Sequence, residues 1–439
     1  MPPDPLASHT SGTTGRHLLL LEEDAGTAAA KQLRQVAGLR VARTGQARGG
    51  LLSVEETRES DAVIYDRLGV AVVAASRDQV EQLGVVASDG GSAIALVEPE
   101  RIVHVLEQLP PPGGPVPGRS GEYLRGYRDA VMHLTSSGSR PGAALVPAAW
   151  APPLDESQAT WGVVLTGAAM SACTGRGVRV AVLDTGIDRN HPDFTDRAIV
   201  AQSFVDGEDV QDGHGHGTHC IGTACGPRTP GELPRYGVAC EADVYAGKVL
   251  SNGGGGRDEN ILAGIEWAVA NRCKVVSMSL GGPVEPGERY SRVFERVGRR
   301  ARRQGTAIVA AAGNESRRAE GVVRPVCHPA NCPSIMAVAA IDAQLQVATF
   351  SNQGSERGGG QVDFAGPGVD VYSSWPMPTR YRRVNGTSMA TPHVAGVAAL
   401  LAQAEPDASA GELIALLGET ALRLSLASVD AGAGLVQAP

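Results

Sequence analysis

Two textures alternate along this chain. Between residues 16 and about 107, short apolar runs are separated by helical stretches. Residues 18–21, four leucines, read as a strand, 25–36 as a helix, 70–75 as a strand and 77–83 as a helix. Residues 93–97 and 102–106 read as two closing strands. The pattern predicts one small α/β module, preceded by a polar stretch, 1–15, that is expected to be disordered. Residues 108–156 are rich in proline and glycine and read as a linker with a short helix near 123–134. From 157 to 439 the texture changes. Apolar runs at 178–183, 243–250, 275–280, 307–312 and 334–340 alternate with helical patterns at 260–271, 290–304, 391–404 and 409–420. Such alternation predicts an α/β domain around a mainly parallel sheet.

Composition narrows this picture. Of 439 residues, 39 are Lys or Arg and 47 are Asp or Glu, a net charge of −8 that gives no reason to expect a nucleic-acid partner. With 56 glycines, 28 prolines and only 4% aromatics, the core is expected to be small and aliphatic and crossed by many turns. The longest apolar run, 395–404, is far short of the roughly 18 residues that span a bilayer, so no membrane partner is expected. No basic segment followed by an apolar stretch opens the chain, so no secretory signal is read, leaving a cytoplasmic location or an unconventional route of export. Seven cysteines are too few for a disulfide scaffold, although Cys327 with Cys332 and Cys225 with Cys240 are spaced so that each pair could bridge.

The chemistry concentrates in three segments. Asp184-Thr185-Gly186 ends an apolar run, and a carboxylate there needs a partner. His214, His216 and His219 follow in a glycine-rich approach to a helix start. Gly386-Thr387-Ser388-Met389-Ala390 places a serine before a helix of small residues. An acid, a base and a nucleophile thus come from three connections of one sheet, in the order Asp, His, Ser. Read alone, the three histidines could hold a metal, but no carboxylate or thiol spacing completes a site. The run Gly253 to Gly256 lacks the Gly-Lys-Ser/Thr of a phosphate loop. The arginines between 296 and 303 read as a solvated helix face, and Cys220 as a buried small side chain.

With these motifs in order, the region from about 157 to the C-terminus resembles the subtilisin-like serine proteases. The resemblance implies an α/β, three-layer fold with a mainly parallel central sheet, preceded by a ferredoxin-like prodomain. It implies a serine endopeptidase, autoprocessed from a proenzyme, in which Ser388 attacks, His216 takes the proton, Asp184 orients His216, and Asn314 serves the oxyanion. It further implies that Gly254, Gly255 and Gly256 on one side, and Ser279, Leu280 and Gly281 on the other, hold an extended peptide. The pocket before the scissile bond should be roomy and apolar, with Glu315 nearby offering a charge to basic side chains. Expected partners are protein or peptide substrates and the chain's own prodomain, with the enzyme a monomer. No cofactor is needed for the chemistry. Relatives carry a structural calcium that would fall at Asp193, but residues 225–235, which should supply the other oxygens, are Pro-rich and depart from the family's Asn-containing pattern. Two other readings are a peptide-binding protein that has lost catalysis, which the intact triad opposes, and an α/β-hydrolase esterase, whose motif and residue order differ.

Overall fold

Residues 12–47, 52, 54–87, 92–107, 155–355 and 359–439 are described by a computed structural model. The linker and its helix near 123–134 fall almost wholly outside these residues, as does most of the stretch 1–15. Strand β1 begins at Thr13, inside the stretch expected to be disordered, and Thr14 bonds to Glu100.

The N-terminal module runs β1 (Thr13–Leu21), α1 (Gly26–Ala37), β2 (Val41–Arg43), α2 (Val54–Arg58), β3 (Ala62–Tyr65), β4 (Val70–Val73), α3 (Arg77–Ala87) and β5 (Ile94–Val105). Strand order β5-β1-β4-β3, antiparallel throughout, is that of a ferredoxin-like unit, with β2 added beside β3. Alternate residues of the strands face opposite ways. Leu19, Leu21, Ile64, Ala71 and Val73 pack on Ala30 and Leu33 of α1 and Leu83 of α3. Leu18, Leu20, Val63, Tyr65, Val70 and Val72 point the other way and join the core of the large domain. A sheet buried on both faces needs unbroken apolar strands, which accounts for the leucine run.

The large domain continues with α4 (Trp161–Leu165), β6 (Arg179–Asp184), β7 (Ile199–Ser203), α5 (His216–Cys225), β8 (Asp243–Lys248), β9 (Gly255–Arg257), α6 (Asp258–Ala270), β10 (Val275–Met278), β11 (Leu280–Gly281) and α7 (Arg292–Arg303). It ends with β12 (Ala307–Ala311), β13 (Met336–Ile341), β14 (Phe364–Pro367), β15 (Val371–Ser374), β16 (Tyr381–Val384), α8 (Thr387–Ala404), α9 (Ala410–Thr420) and α10 (Ser428–Ala431). The central sheet, ordered β14-β13-β12-β10-β6-β8-β7, is parallel at every step. Val180, Val182, Val275 and Val309 meet α5 and α8 on one face. Ala181, Leu183, Val276 and Ile308 meet α6 and α7 on the other, making three layers. Helix α8 begins at Thr387, four residues before the start the sequence suggested. All seven cysteines are free thiols, so neither candidate disulfide forms.

Charged side chains help join the module to the large domain. Residues 93–97 and 102–106, expected as two strands, are joined in the single strand β5, Ile94–Val105, and its charged middle meets helix starts. Glu98 accepts hydrogen bonds from Ser291 Oγ at 2.6 Å and Arg292 N at 2.9 Å at the start of α7. Glu100 accepts from Glu259 N at 3.0 Å at the start of α6, where unpaired N–H groups favour a negative charge. Arg16 closes the arrangement with a two-pronged bond to Glu259 at 2.5 and 2.7 Å.

Candidate active site

In parallel α/β sheets, ligand sites gather at the carboxyl ends of the strands. Asp184 is the last residue of β6, and its Oδ1 accepts from His216 Nδ1 and from Thr185 N, both at 2.7 Å. His216 opens α5 and is fully buried. Burial lowers its pKa, but the charge and hydrogen bond of Asp184, helped by Cys220, outweigh that, leaving it well above the ordinary 6.5. The other two histidines lie elsewhere in the packing. His219 Nε2 bonds to the carbonyls of Val371 and Arg382, and burial together with His216 pulls its pKa down to about 3. His214 stands edge-on to His216, ring centroids 6.2 Å apart, so the three rings share no centre. Among the described residues, Asp184, His216 and Cys220 alone cluster as metal ligands do, within 4.8 Å, and two of these already bond to each other. The Cys220 thiol is buried, and that burial raises its pKa to about 11.

A residue the sequence reading passed over fixes the start of α5. Buried Asp212 accepts hydrogen bonds from Thr185 Oγ1, His214 N, Gly215 N, Thr218 N and Thr218 Oγ1, at 2.7–3.0 Å. Burial would raise its pKa, but these donors prevail and the net shift is downward. The available signal was an aspartate just ahead of a helix start, where free N–H groups call for an acceptor.

Ser388 is the second residue of α8, and the helix contains Pro392. Proline has no N–H, so the Ser388 carbonyl lacks its helical donor. Ser279 Oγ supplies one at 2.8 Å, and Cys220 Sγ a weaker one at 3.6 Å. Ser388 Oγ in turn donates to Ser279 O at 3.0 Å. The Ser279 side chain therefore secures the serine's helix. His216 Nε2 has no hydrogen-bond partner among the described residues.

The cleft beside Ser388 contains a peptide, the end of β5. Ile102, Val103 and His104 pair antiparallel with Arg257, Gly256 and Gly255, and Val105 N donates to Gly254 O at 2.9 Å. On the other side, His104 and Val105 pair with Gly281 and Leu280. Leu106 follows, its carbonyl accepting from Asn314 Nδ2 at 2.6 Å. Asn314 is oriented by Thr387, whose N and Oγ1 donate to Asn314 Oδ1, each at 2.9 Å. Gly386, with φ +154°, leaves room for this carbonyl, since a Cβ there would lie 2.6 Å from it. The Leu106 side chain packs against Ala311 and Cys327 in a small buried cluster. The Glu315 carboxylate is engaged by Asn352 Nδ2 at 2.5 Å.

Asp193 lies in the HPD corner at 191–193. Its Oδ2 accepts from Tyr236 OH at 2.5 Å and Tyr381 OH at 3.0 Å, and its Oδ1 from Gly231 N at 2.7 Å. Tyr236, Tyr372 and Tyr381 pack ring to ring around it.

Residues 175–435, more than half of the chain, match the Subtilase family. Subtilisin of Bacillus pumilus is 41% identical over 265 residues, which cover 60% of this chain and 90% of that protein. Subtilisin DY of Bacillus licheniformis is 40% identical over 252 residues, 57% of this chain and 85% of the relative. Subtilisin E of Bacillus subtilis (strain 168) is 43% identical over 235 residues, and there the chain spans only 57% of the relative's length. The chain belongs to the subtilase family.

Proposed function

We propose that this chain is a serine endopeptidase and that the N-terminal module, from β1 through Leu106, is its prodomain, cut from the enzyme at the Leu106–Glu107 bond. The observation that carries this reading is the Leu106 carbonyl, held by Asn314 Nδ2 at 2.6 Å while the residues before it pair on both sides as a bound peptide would. In the proposed reaction Ser388 Oγ swings from Ser279 O and attacks the Leu106 carbonyl carbon, and its proton passes to His216 Nε2. Asp184 holds Nδ1–H and stabilises the imidazolium. The carbonyl oxygen becomes an oxyanion facing Asn314 Nδ2. As the C–N bond breaks, His216 returns the proton to the Glu107 nitrogen, leaving Leu106 esterified to Ser388 until water, activated by the same imidazole, completes hydrolysis. On this reading Gly254, Gly255, Gly256, Leu280 and Gly281 bind backbone of later substrates as they bind β5.

We infer that Asp193 does not hold calcium. Its neighbours are donors, two hydroxyls and an N–H, and not the ring of oxygens a calcium ion requires. Burial and the Asp193 carboxylate both raise the pKa of Tyr381, which keeps that hydroxyl a donor.

The experiment is purification of full-length wild type and Ser388→Ala. Wild type should yield a mature chain beginning at Glu107 and should digest casein, whereas Ser388→Ala should stay a single uncut chain. An active but uncut wild type would remove the prodomain reading and keep the peptidase. Casein left intact by wild type would remove both.

A further inference from the structure

A fully buried lysine sits at the carboxyl end of the sheet, beside the acid of the site. Lys248 is the last residue of β8 and pairs in register with Asp184 of β6. Its side chain is 0% exposed, and a buried ammonium is costly unless its three N–H groups find acceptors. Nζ donates to Thr185 O at 2.6 Å and to Asn252 Oδ1 at 3.0 Å, and Glu208 Oε2 lies 3.1 Å away. The three oxygens come from three connections: Thr185 follows β6, Glu208 follows β7 and Asn252 follows β8. Those strands are neighbours, ordered β6-β8-β7, so one cation ties three adjacent strand ends together.

Each tie leads to a part of the site. Thr185 N donates to Asp184 Oδ1, and Thr185 Oγ1 accepts from Gly217 N in the first turn of α5, so this residue bridges the acid and the helix of the base. Asn252 Oδ1 also accepts from Gly213 N at 2.8 Å, and Asn252 N donates to Glu208 Oε2 at 2.9 Å. Two residues on, Gly254 begins the edge along which β5 lies. We propose that Lys248 is a positioning residue: its ammonium holds the peptide-binding edge at Gly254–Gly256 in fixed relation to Asp184 and His216. The proposal rests on the peptidase reading above and adds to it a link between peptide binding and the triad. An apolar side chain would fill the same space without burying a charge, but it would leave the three connections free to shift against one another. A displacement of about 1 Å between a bound peptide and the groups that act on it costs about 10²-fold in rate.

The test uses self-processed enzyme, its active sites counted by titration with a fluorophosphonate, and two leucine anilides. One has a single residue before the scissile bond and the other has four, so only the second reaches Gly254–Gly256, as Val103, His104 and Val105 do. Wild type should favour the longer peptide by kcat/KM. Lys248→Met should reduce that preference about ten-fold or more, chiefly through a lower kcat on the longer peptide. Glu208→Ala and Asn252→Ala, each removing one link of the network outside the edge itself, should reduce it in the same direction by a smaller factor. A role in folding alone would lower the number of active sites and leave the preference per site where it was. Where Lys248→Met yields no processed enzyme, the two loop variants decide. A wild type without the preference, or a preference unmoved in the variants, overturns the positioning role and leaves the peptidase standing. Failure of wild type to cleave either anilide or casein overturns both.

Discussion

Asn314, in the proposed reaction, is one side chain set for a charge that exists only briefly. Its Oδ1 is taken by both donors of Thr387, which turns its Nδ2 toward the carbonyl in the cleft. The amide cannot flip without losing two hydrogen bonds. Asn314→Ala should therefore lower kcat by about 10²–10³-fold with little change in KM, the loss known for one oxyanion donor in subtilisin, a member of this chain's own family. Steady-state kinetics on a peptide anilide would check this, and an unchanged kcat with a raised KM would assign Asn314 to ground-state binding. The residues proposed as the triad, Asn314 and the glycines are all readable in the sequence, because each sits in a short motif whose spacing singles it out. Leu106 and Asp212 are not. Leu106 matters through contacts made across the fold, and Asp212 through five donors that the chain assembles only when folded.

At the scale of elements, the sequence was hardest to read where one part's polar groups serve another part. The centre of β5, Glu98-Pro99-Glu100-Arg101, looks like a turn between two short strands. It is the middle of one strand, and its carboxylates complete the starts of α6 and α7. Strand β3 is short and passed unnoticed, and β7 is a half-exposed edge with little apolar signal. The join of β13 and β14 has its own polar detail. Asp363 precedes β14, its Oδ2 accepts from Ala337 N at 2.7 Å, and burial raises its pKa to about 6. A carboxyl raised on folding binds its proton more tightly in the folded state. Its contribution is present in full below the unfolded value near 3.8 and is lost as pH rises to about 6. Asp363→Asn should thus stabilise the protein at pH 7, by at most about 3 kcal/mol for a shift of this size, and should have no such effect near pH 3.5. Thermal melts of both proteins across that range would show it, and a pH-independent difference would assign the effect to packing.

For the molecule as a whole, the corner at Asp193 ties the loop at 226–236 to the β15–β16 hairpin through tyrosines. Stability at this corner is expected to be insensitive to chelation. EDTA should move Tm by no more than a degree or two, while Tyr381→Phe should cost about 1 kcal/mol through its bond to a carboxylate. A Tm that climbs several degrees with added calcium would overturn the assignment.

The two-sided burial of the module's sheet gives the proposed activation a direction in time. While the chain is intact, Leu18, Leu20, Val63, Val70 and Val72 are sheltered by α6 and α7. Breaking Leu106–Glu107 removes the tether and leaves a small fragment whose own helices cover only one face of its sheet. Domains of such size keep little stability in reserve, so a fragment that drifts free would tend to open. An opened chain is what a peptidase cuts most readily. Inhibition by the module would then last as long as the fragment stays folded against its partner, and each departure would bring its destruction closer. On the proposed reading, the delay between synthesis and full activity would be set in this way by the apolar face of a sheet, and substitutions there would tune it as a clock is tuned, without touching the residues that do the chemistry.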